Sequence, residues 1–212
     1  MDSLFLLRLA VSFLTAYMLG NINGAVTVSK QLDNDDVRTK GSGNAGITNY
    51  LRTYGLRNSG LVAVIDLVKT VLACLVGGLL LLPYGYYLEG VMLGGLGATL
   101  GHDFPAILGF RGGKGILCGL GAALVADWRI ALIVLGVFAV VVLLTRYVSL
   151  GSCLAALTLP ICFVLFHRES PWALAGSICI FILALFMHRD NLQRLFQGTE
   201  RKLSLRRKKE RP

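Results

Sequence analysis

Apolar runs long enough to cross a lipid bilayer dominate this chain, separated by short stretches rich in glycine and charge. A helical crossing takes roughly 20 mainly apolar residues, with a range of about 17–25. Runs of that character occupy 4–28, 60–82, 129–145, 149–166 and 172–187, and weaker ones occupy 88–101 and 116–126. Only 16% of the 212 residues are charged, too few to clothe a soluble domain of this length. Inside lipid every backbone polar group must be bonded within its own element, and repeated aliphatic runs meet that demand as helices rather than as barrel strands. The expected fold is an all-α polytopic membrane protein, a bundle of about seven transmembrane helices. Five is the alternative, if 129–166 forms a hairpin that does not cross. Residues 1–187 read as a single transmembrane domain, and 188–212 as an interfacial helix followed by a polybasic tail.

Lysine and arginine set the orientation, because they are retained on the cytoplasmic side of a membrane. With seven spans and the N-terminus outside, segment 29–58 lies inside with Lys30, Arg38, Lys40, Arg52 and Arg57. The loop at 102–115 adds Arg111 and Lys114, the 146–148 turn adds Arg146, and the tail from 188 adds nine more. Only Arg129 and Arg168 fall outside, while Arg8 and Lys69 lie within spans. The C-terminus is therefore expected to be cytoplasmic, together with every glycine-rich stretch. The first run is too long for a cleavable signal and lacks a small-x-small cleavage site, so it reads as a retained span. The five cysteines all fall in apolar segments with neither zinc nor disulfide spacing, and read as small buried residues. The tail cluster Arg206-Arg-Lys-Lys209 suits anionic lipid head groups. With nothing aromatic interleaved, nucleic acid is not an expected partner.

The polar stretches carry the chemistry. Gly41-Ser-Gly-Asn-Ala-Gly-Ile-Thr-Asn49 has the glycine spacing of a dinucleotide fingerprint, but it lies between two spans instead of after a strand. Closely spaced glycines leave backbone N–H groups free to face an anion. Ser42, Asn44, Thr48 and Asn49 add donors beside Gly43, and Arg52 adds a fork suited to phosphate. Helical spacing would place Thr48, Asn49 and Arg52 on one face. Gly109-Phe-Arg-Gly-Gly-Lys-Gly115 is one residue short of a phosphate-binding P-loop, and no Ser or Thr follows Lys114. Arg111, Gly112, Gly113 and Lys114 still make an anion cradle. His102 is placed to act as a general base, or as a donor to developing negative charge. His188, Asn191, Arg194 and Glu200 gather after the last span, beside the apolar Leu192, Leu195 and Phe196. Asp66 and Lys69 lie within the second span, where ionisable groups are costly and serve as a structural pair or a site. No set of carboxylate, histidine or cysteine ligands suggests a metal, and no cofactor is expected. The residues alone indicate a lipid-phosphate enzyme that works by positioning and charge.

Three motifs in order resemble the acyl-phosphate-dependent glycerol-3-phosphate acyltransferases of bacteria, the PlsY family. They are Gly-Ser-Gly-Asn-x-Gly-x-Thr-Asn-x-x-Arg-x-x-Gly at 41–55, Gly-His-x-Phe-Pro with Phe-x-Gly-Gly-Lys-Gly at 101–115, and His-Arg-x-Asn-x-x-Arg-Leu with Gly-Thr-Glu at 188–200. Asp66-x-x-Lys69 and Arg146-Tyr-Val-Ser149 match as well, and the likeness runs from Tyr17 to Glu200. It implies acyl transfer from acyl phosphate to the 1-hydroxyl of sn-glycerol 3-phosphate at the cytoplasmic face of a bacterial cell (inner) membrane. It also implies a soluble acyl-phosphate-synthesising enzyme upstream, and membrane lipid around the chain. On this sequence it implies catalytic roles for Ser42, Asn44, His102, Lys114 and Asn191. Substrate binding would fall to Gly43, Thr48, Asn49, Arg52, Arg111, Gly112, Gly113, Ser149, His188, Arg194 and Glu200, with the acceptor's own phosphate as an alternative base. The chain departs from the family pattern at Asn21, Asn23, Ala45, Ile47, Thr70 and Arg111. A relative acylating another phosphorylated alcohol, a small-anion transporter and a non-catalytic lipid-binding relative are the competing readings.

Overall fold

The computed structural model describes residues 2–203; the expected tail cluster at 206–209 lies outside the described residues. Every apolar run forms a helix. In chain order these are α1 (Ser3–Gly20), α2 (Gly24–Leu32), α3 (Ile47–Tyr54), α4 (Ser59–Leu81), α5 (Tyr87–Asp103), α6 (Ile116–Ala126), α7 (Trp128–Thr145), α8 (Val148–Phe166), α9 (Pro171–Met187) and α10 (Arg189–Phe196). Among the described residues no strand occurs. Five stretches are long and apolar enough to cross a membrane, α7 and α8 among them, and the bent pair α9 and α10 would make a sixth, against the seven expected with five as the alternative. The 17-residue α9 bends by 60° into α10, and α6 has only 11 residues.

Two sub-bundles share a wall. The helices α1, α4 and α5 pack tightly together, and α6 and α9 join them to the pair α7 and α8. Helix association within lipid relies on close packing of small residues, since water supplies no driving force there. Glycine provides that approach: a Cβ on Gly20 would lie 2.9 Å from the Cα of Gly101. The core of the second sub-bundle joins Ala122 and Ala123 of α6 to Ile130, Ala155, Leu159, Phe163 and Ile180. Four cysteines are buried as expected, whereas Cys179 is exposed on the lipid-facing side of its helix.

The first run is broken where the sequence places two asparagines. Asn23 accepts from the N–H of Val26 at 3.0 Å and so caps α2, a role for which asparagine is among the best residues. Its amide donates to the carbonyl of Ala45 at 3.0 Å. Asn21 donates back to Tyr17 at 2.7 Å and accepts from the N–H of Ile107 at 3.3 Å. The end of the first span is thereby tied to both glycine-rich loops.

Candidate active site

The three polar stretches meet at one end of the bundle. Ala45 donates its N–H to Gly112 at 3.3 Å, Lys114 donates to Asn191 Oδ1, and Arg52 donates to the Arg201 carbonyl at 3.3 Å. Asp36 helps to hold the first loop. Hydrogen bonding from Arg38 holds its carboxyl down at about 2, and Arg38 reaches on to the Leu108 carbonyl at 3.0 Å.

Beneath the loops lies a buried trio. The Lys69 ammonium is 2.9 Å from Asp66 Oδ1 and 2.9 Å from His102 Nδ1. It also donates to the Gly20 carbonyl at 3.1 Å and to that of Ile22, while Asp66 accepts from the N–H of Gly24 at 3.1 Å. His102 Nδ1 also lies 3.4 Å from Asp66 Oδ1, so this nitrogen faces both an acceptor carboxylate and a donor ammonium, and each ring tautomer finds a partner there. The clamp holds the ring with Nε2 toward the Gly113 turn. The Asp66–Lys69 pair is a structural clamp joining α1, α2, α4 and α5.

The glycines at 112 and 113 serve close approach. A Cβ on Gly113 would collide with His102 Nε2 and lie 2.9 Å from the Ala45 carbonyl; one on Gly112 would strike the His102 carbonyl. Their N–H groups do not face outward as the sequence suggested. Gly113 donates to the His102 carbonyl at 3.0 Å and Gly112 to that of Asp103 at 3.2 Å. Gly43, likewise, donates to the Lys40 carbonyl at 2.9 Å. The N-termini of α3 and α6 carry no side-chain cap, so the unpaired N–H groups of the site are found there.

A second cluster surrounds Lys114. Glu200 accepts from Ser149 at 2.8 Å, from Asn191 at 2.7 Å and from Arg194 at 2.7 Å. Burial pushes its carboxyl up, but those donors outweigh burial and hold it below the usual carboxylate range. Burial, reinforced by repulsion from Arg194, lowers the affinity of Lys114 for its proton. Such a cation gains most from an arriving phosphate. Beside this cluster runs an apolar groove of about 530 Å³, lined by Leu144, Leu150, Leu192, Leu195 and Phe196, with Lys202 at its edge.

Not every expected ligand is available. Asn49 is buried and holds the loop, bonding the Val37 carbonyl at 2.9 Å, that of Lys40 at 3.0 Å and the Ser42 N–H at 2.9 Å. The segment is helical as the shared-face expectation required, with Asn49 buried, Thr48 half-buried and Arg52 exposed. His188 is buried with Nδ1 on the Ala184 carbonyl at 2.8 Å. Arg111 is exposed and takes part in no ion pair among the described residues. Ser42 is exposed, and Asn44 and Thr48 are half-buried near the α3 N-terminus. Asn21 and Asn23 were legible as departures, and the structure gives them a bracing role. Asp103, whose buried carboxylate has neither oxygen partnered, carried no sequence signal.

A family model described as glycerol-3-phosphate acyltransferase matches residues 10–198. The chain belongs to that family. The glycerol-3-phosphate acyltransferase of Clostridioides difficile (strain 630) is 40% identical over 194 residues, covering 89% of this chain and 92% of that one. That of Thermoanaerobacter sp. (strain X514) is 38% identical over 188 residues, with 89% and 92% covered. Crystallographic PlsY, an integral membrane glycerol 3-phosphate acyltransferase in its glycerol 3-phosphate form, superposes with a TM-score of 0.83. It is 30% identical, with 92% of this chain and 96% of that one covered. Its lysophosphatidic acid form gives 0.79. The acyltransferase is accordingly a multi-pass membrane protein of the PlsY type.

Proposed function

We propose that this acyltransferase moves a fatty acyl group from acyl phosphate to the 1-hydroxyl of sn-glycerol 3-phosphate, forming lysophosphatidic acid and inorganic phosphate. The observation that carries the reading is the two-sided α10. One side presents Asn191 and Arg194 to Glu200 and Lys114; the other lines the apolar groove with Leu192, Leu195 and Phe196. A molecule with a phosphate head and an apolar tail matches both sides. Acyl phosphate is such a molecule, and its phosphate is already a good leaving group.

In this reading Lys114, Arg194 and Arg52 hold phosphate oxygens, with Ser42, Asn44, Thr48 and the uncapped helix N-termini supplying neutral donors. The acceptor hydroxyl oxygen attacks the acyl carbonyl carbon, forming a new C–O bond. The C–O bond to phosphate breaks, and the hydroxyl proton passes to a phosphate oxygen. In this reading His102, with Nε2 toward the glycine turn, serves as a donor to developing negative charge, and the substrate phosphate takes the role of base. No acyl-enzyme is required. Ser42 is tied by its N–H to Asn49, and stabilisation by fixed charge suffices for an activated donor. By the bias of lysine and arginine the site faces the cytoplasm of a bacterial cell membrane, where a soluble enzyme that makes acyl phosphate would supply it.

The test is acyl transfer by the purified full chain in bilayers, with glycerol 3-phosphate and either palmitoyl phosphate or palmitoyl-CoA. Lysophosphatidic acid from palmitoyl phosphate alone is expected. Product from palmitoyl-CoA would overturn the donor assignment. No product from either, with folded protein, would point to another phosphorylated alcohol as acceptor.

A further inference from the structure

A second charged cluster lies away from the site, at the far ends of two helices that reach it. Asp127, which ends α6 and caps α7, has a nearly buried side chain. It accepts from His167 Nε2 at 3.1 Å, from the Arg129 N–H at 2.9 Å and from the Arg129 guanidinium at 2.6 Å. His167 ends α8, with Glu169 3.6 Å from its Nδ1 and the Phe163 ring at 5.6 Å, tilted by 48°. α6 begins two residues after Lys114, and the near end of α8 carries Ser149. One hydrogen bond therefore joins the remote ends of the two helices whose opposite ends flank the phosphate-binding cluster.

The position of α6 needs such a fixture. Its 11 residues are aliphatic side chains, alanine, glycine and one cysteine, and it rises only about 16 Å at 1.5 Å per residue. Helices in lipid associate through close packing of small residues and through hydrogen bonds between them, and at this end of α6 the hydrogen bond is the one from His167 to Asp127. Packing behind the site is incomplete: a gap of about 20 Å³ runs along Gly115, Ile116, Gly119 and Leu120, against Val134, Ala155, Leu159 and Ile180. A Cβ on Gly119 would meet Ile180 at 3.5 Å, an ordinary contact, so a methyl group fits there.

We infer that Asp127 and His167 are positioning residues for acyl transfer, setting the placement of Lys114 against Ser149 and Glu200 by latching α6 to α8. This rests on the acyl-transfer reading above. Misplacement of a charge by about 1 Å is enough to slow a reaction 10²-fold. The full chain in bilayers is assayed with palmitoyl phosphate and glycerol 3-phosphate as wild type, His167→Phe, His167→Gln, Asp127→Ser and the double variant His167→Phe with Asp127→Ser. Phenylalanine keeps an aromatic ring against Phe163 without the hydrogen bond, glutamine keeps a donor, and serine keeps the cap of α7 but is too short to reach His167.

The latch variants are expected to lower kcat about tenfold with little change in KM, and the double variant to be no worse than either single one. His167→Gln should stay within about threefold of wild type, as expected if donation at Nε2 is what matters. A readout independent of turnover is site-resolved alkylation of Cys118, buried in α6. It should accelerate in His167→Phe and Asp127→Ser and remain slow in His167→Gln. Wild-type kcat and slow labelling in His167→Phe would overturn the inference, as would additive losses in the double variant. If His167→Phe does not fold, Asp127→Ser is read alone; if neither folds, the latch is only a folding element and the inference fails. An inactive wild type would sink the acyl-transfer reading, while the labelling still decides whether the latch holds α6.

Discussion

The Lys69 ammonium lies 2.9 Å from Nδ1 of His102, and Asp66 Oδ1 lies 3.4 Å from the same nitrogen. With Lys69 also bonding Asp66, Gly20 and Ile22, the buried pair fixes the imidazole ring with Nε2 toward the glycine turn.

A donor can be replaced by another donor. His102→Gln, which retains an amide N–H of similar reach, should keep activity within about tenfold of wild type, while His102→Ala should lose roughly 10²–10³-fold in kcat. The comparison is made by initial rates of lysophosphatidic acid formation. Equal losses in both variants would return His102 to the role of base.

Lys114 and Asn191 are expected to act as a unit. Each alanine substitution should cost about 3–4 kcal/mol of transition-state stabilisation, read from kcat/KM. Because the two share one hydrogen bond, the double variant should fall well short of the sum. Additive losses would mean that Asn191 binds substrate independently of Lys114.

Glycine at 113 is required for approach, not for flexibility. Gly113→Ala places a methyl group against His102 and the Ala45 carbonyl, and should lower kcat/KM by about 10²-fold through displacement of the turn. Gly60→Ala is the control. Its Cβ would meet nothing within 4 Å, and alanine in α4 should stabilise by about 0.5–1 kcal/mol. Thermal unfolding and activity together separate the two effects.

Glu200 gives a pH signature. Its folded carboxyl titrates below the ordinary value of 4.5 because its three donors outweigh burial. A depressed carboxylate stabilises the fold fully above its unfolded value, and that contribution disappears as pH falls through the folded value. Stability of the wild type should therefore fall more steeply below about pH 4.5 than that of Glu200→Gln. Chemical denaturation between about pH 3 and 6 measures the difference, and parallel profiles would show that the donors do not hold the charge.

The apolar runs and the three motifs were readable because they are local. Run length against bilayer thickness dictates helices, and motif residues such as Lys114, Asn191 and Glu200 announce phosphate chemistry by type and spacing. Even the boundary at Asn21 and Asn23 shows in the sequence as polar residues within an apolar run. Partnership is different. Lys69 meets His102 across 33 positions, Lys114 meets Asn191 across 77, and Arg52 meets the carbonyl of Arg201 across 149. Those distances decided that His102 sits against the Asp66–Lys69 pair, that Asn49 bonds across its own loop, and that the N–H groups of Gly112 and Gly113 are already bonded within the loop. They also brought Asp127 to His167. A side chain's residue type limits which hydrogen bonds it can make, but burial beside a particular partner selects which one it makes, and only the tertiary structure supplies that partner.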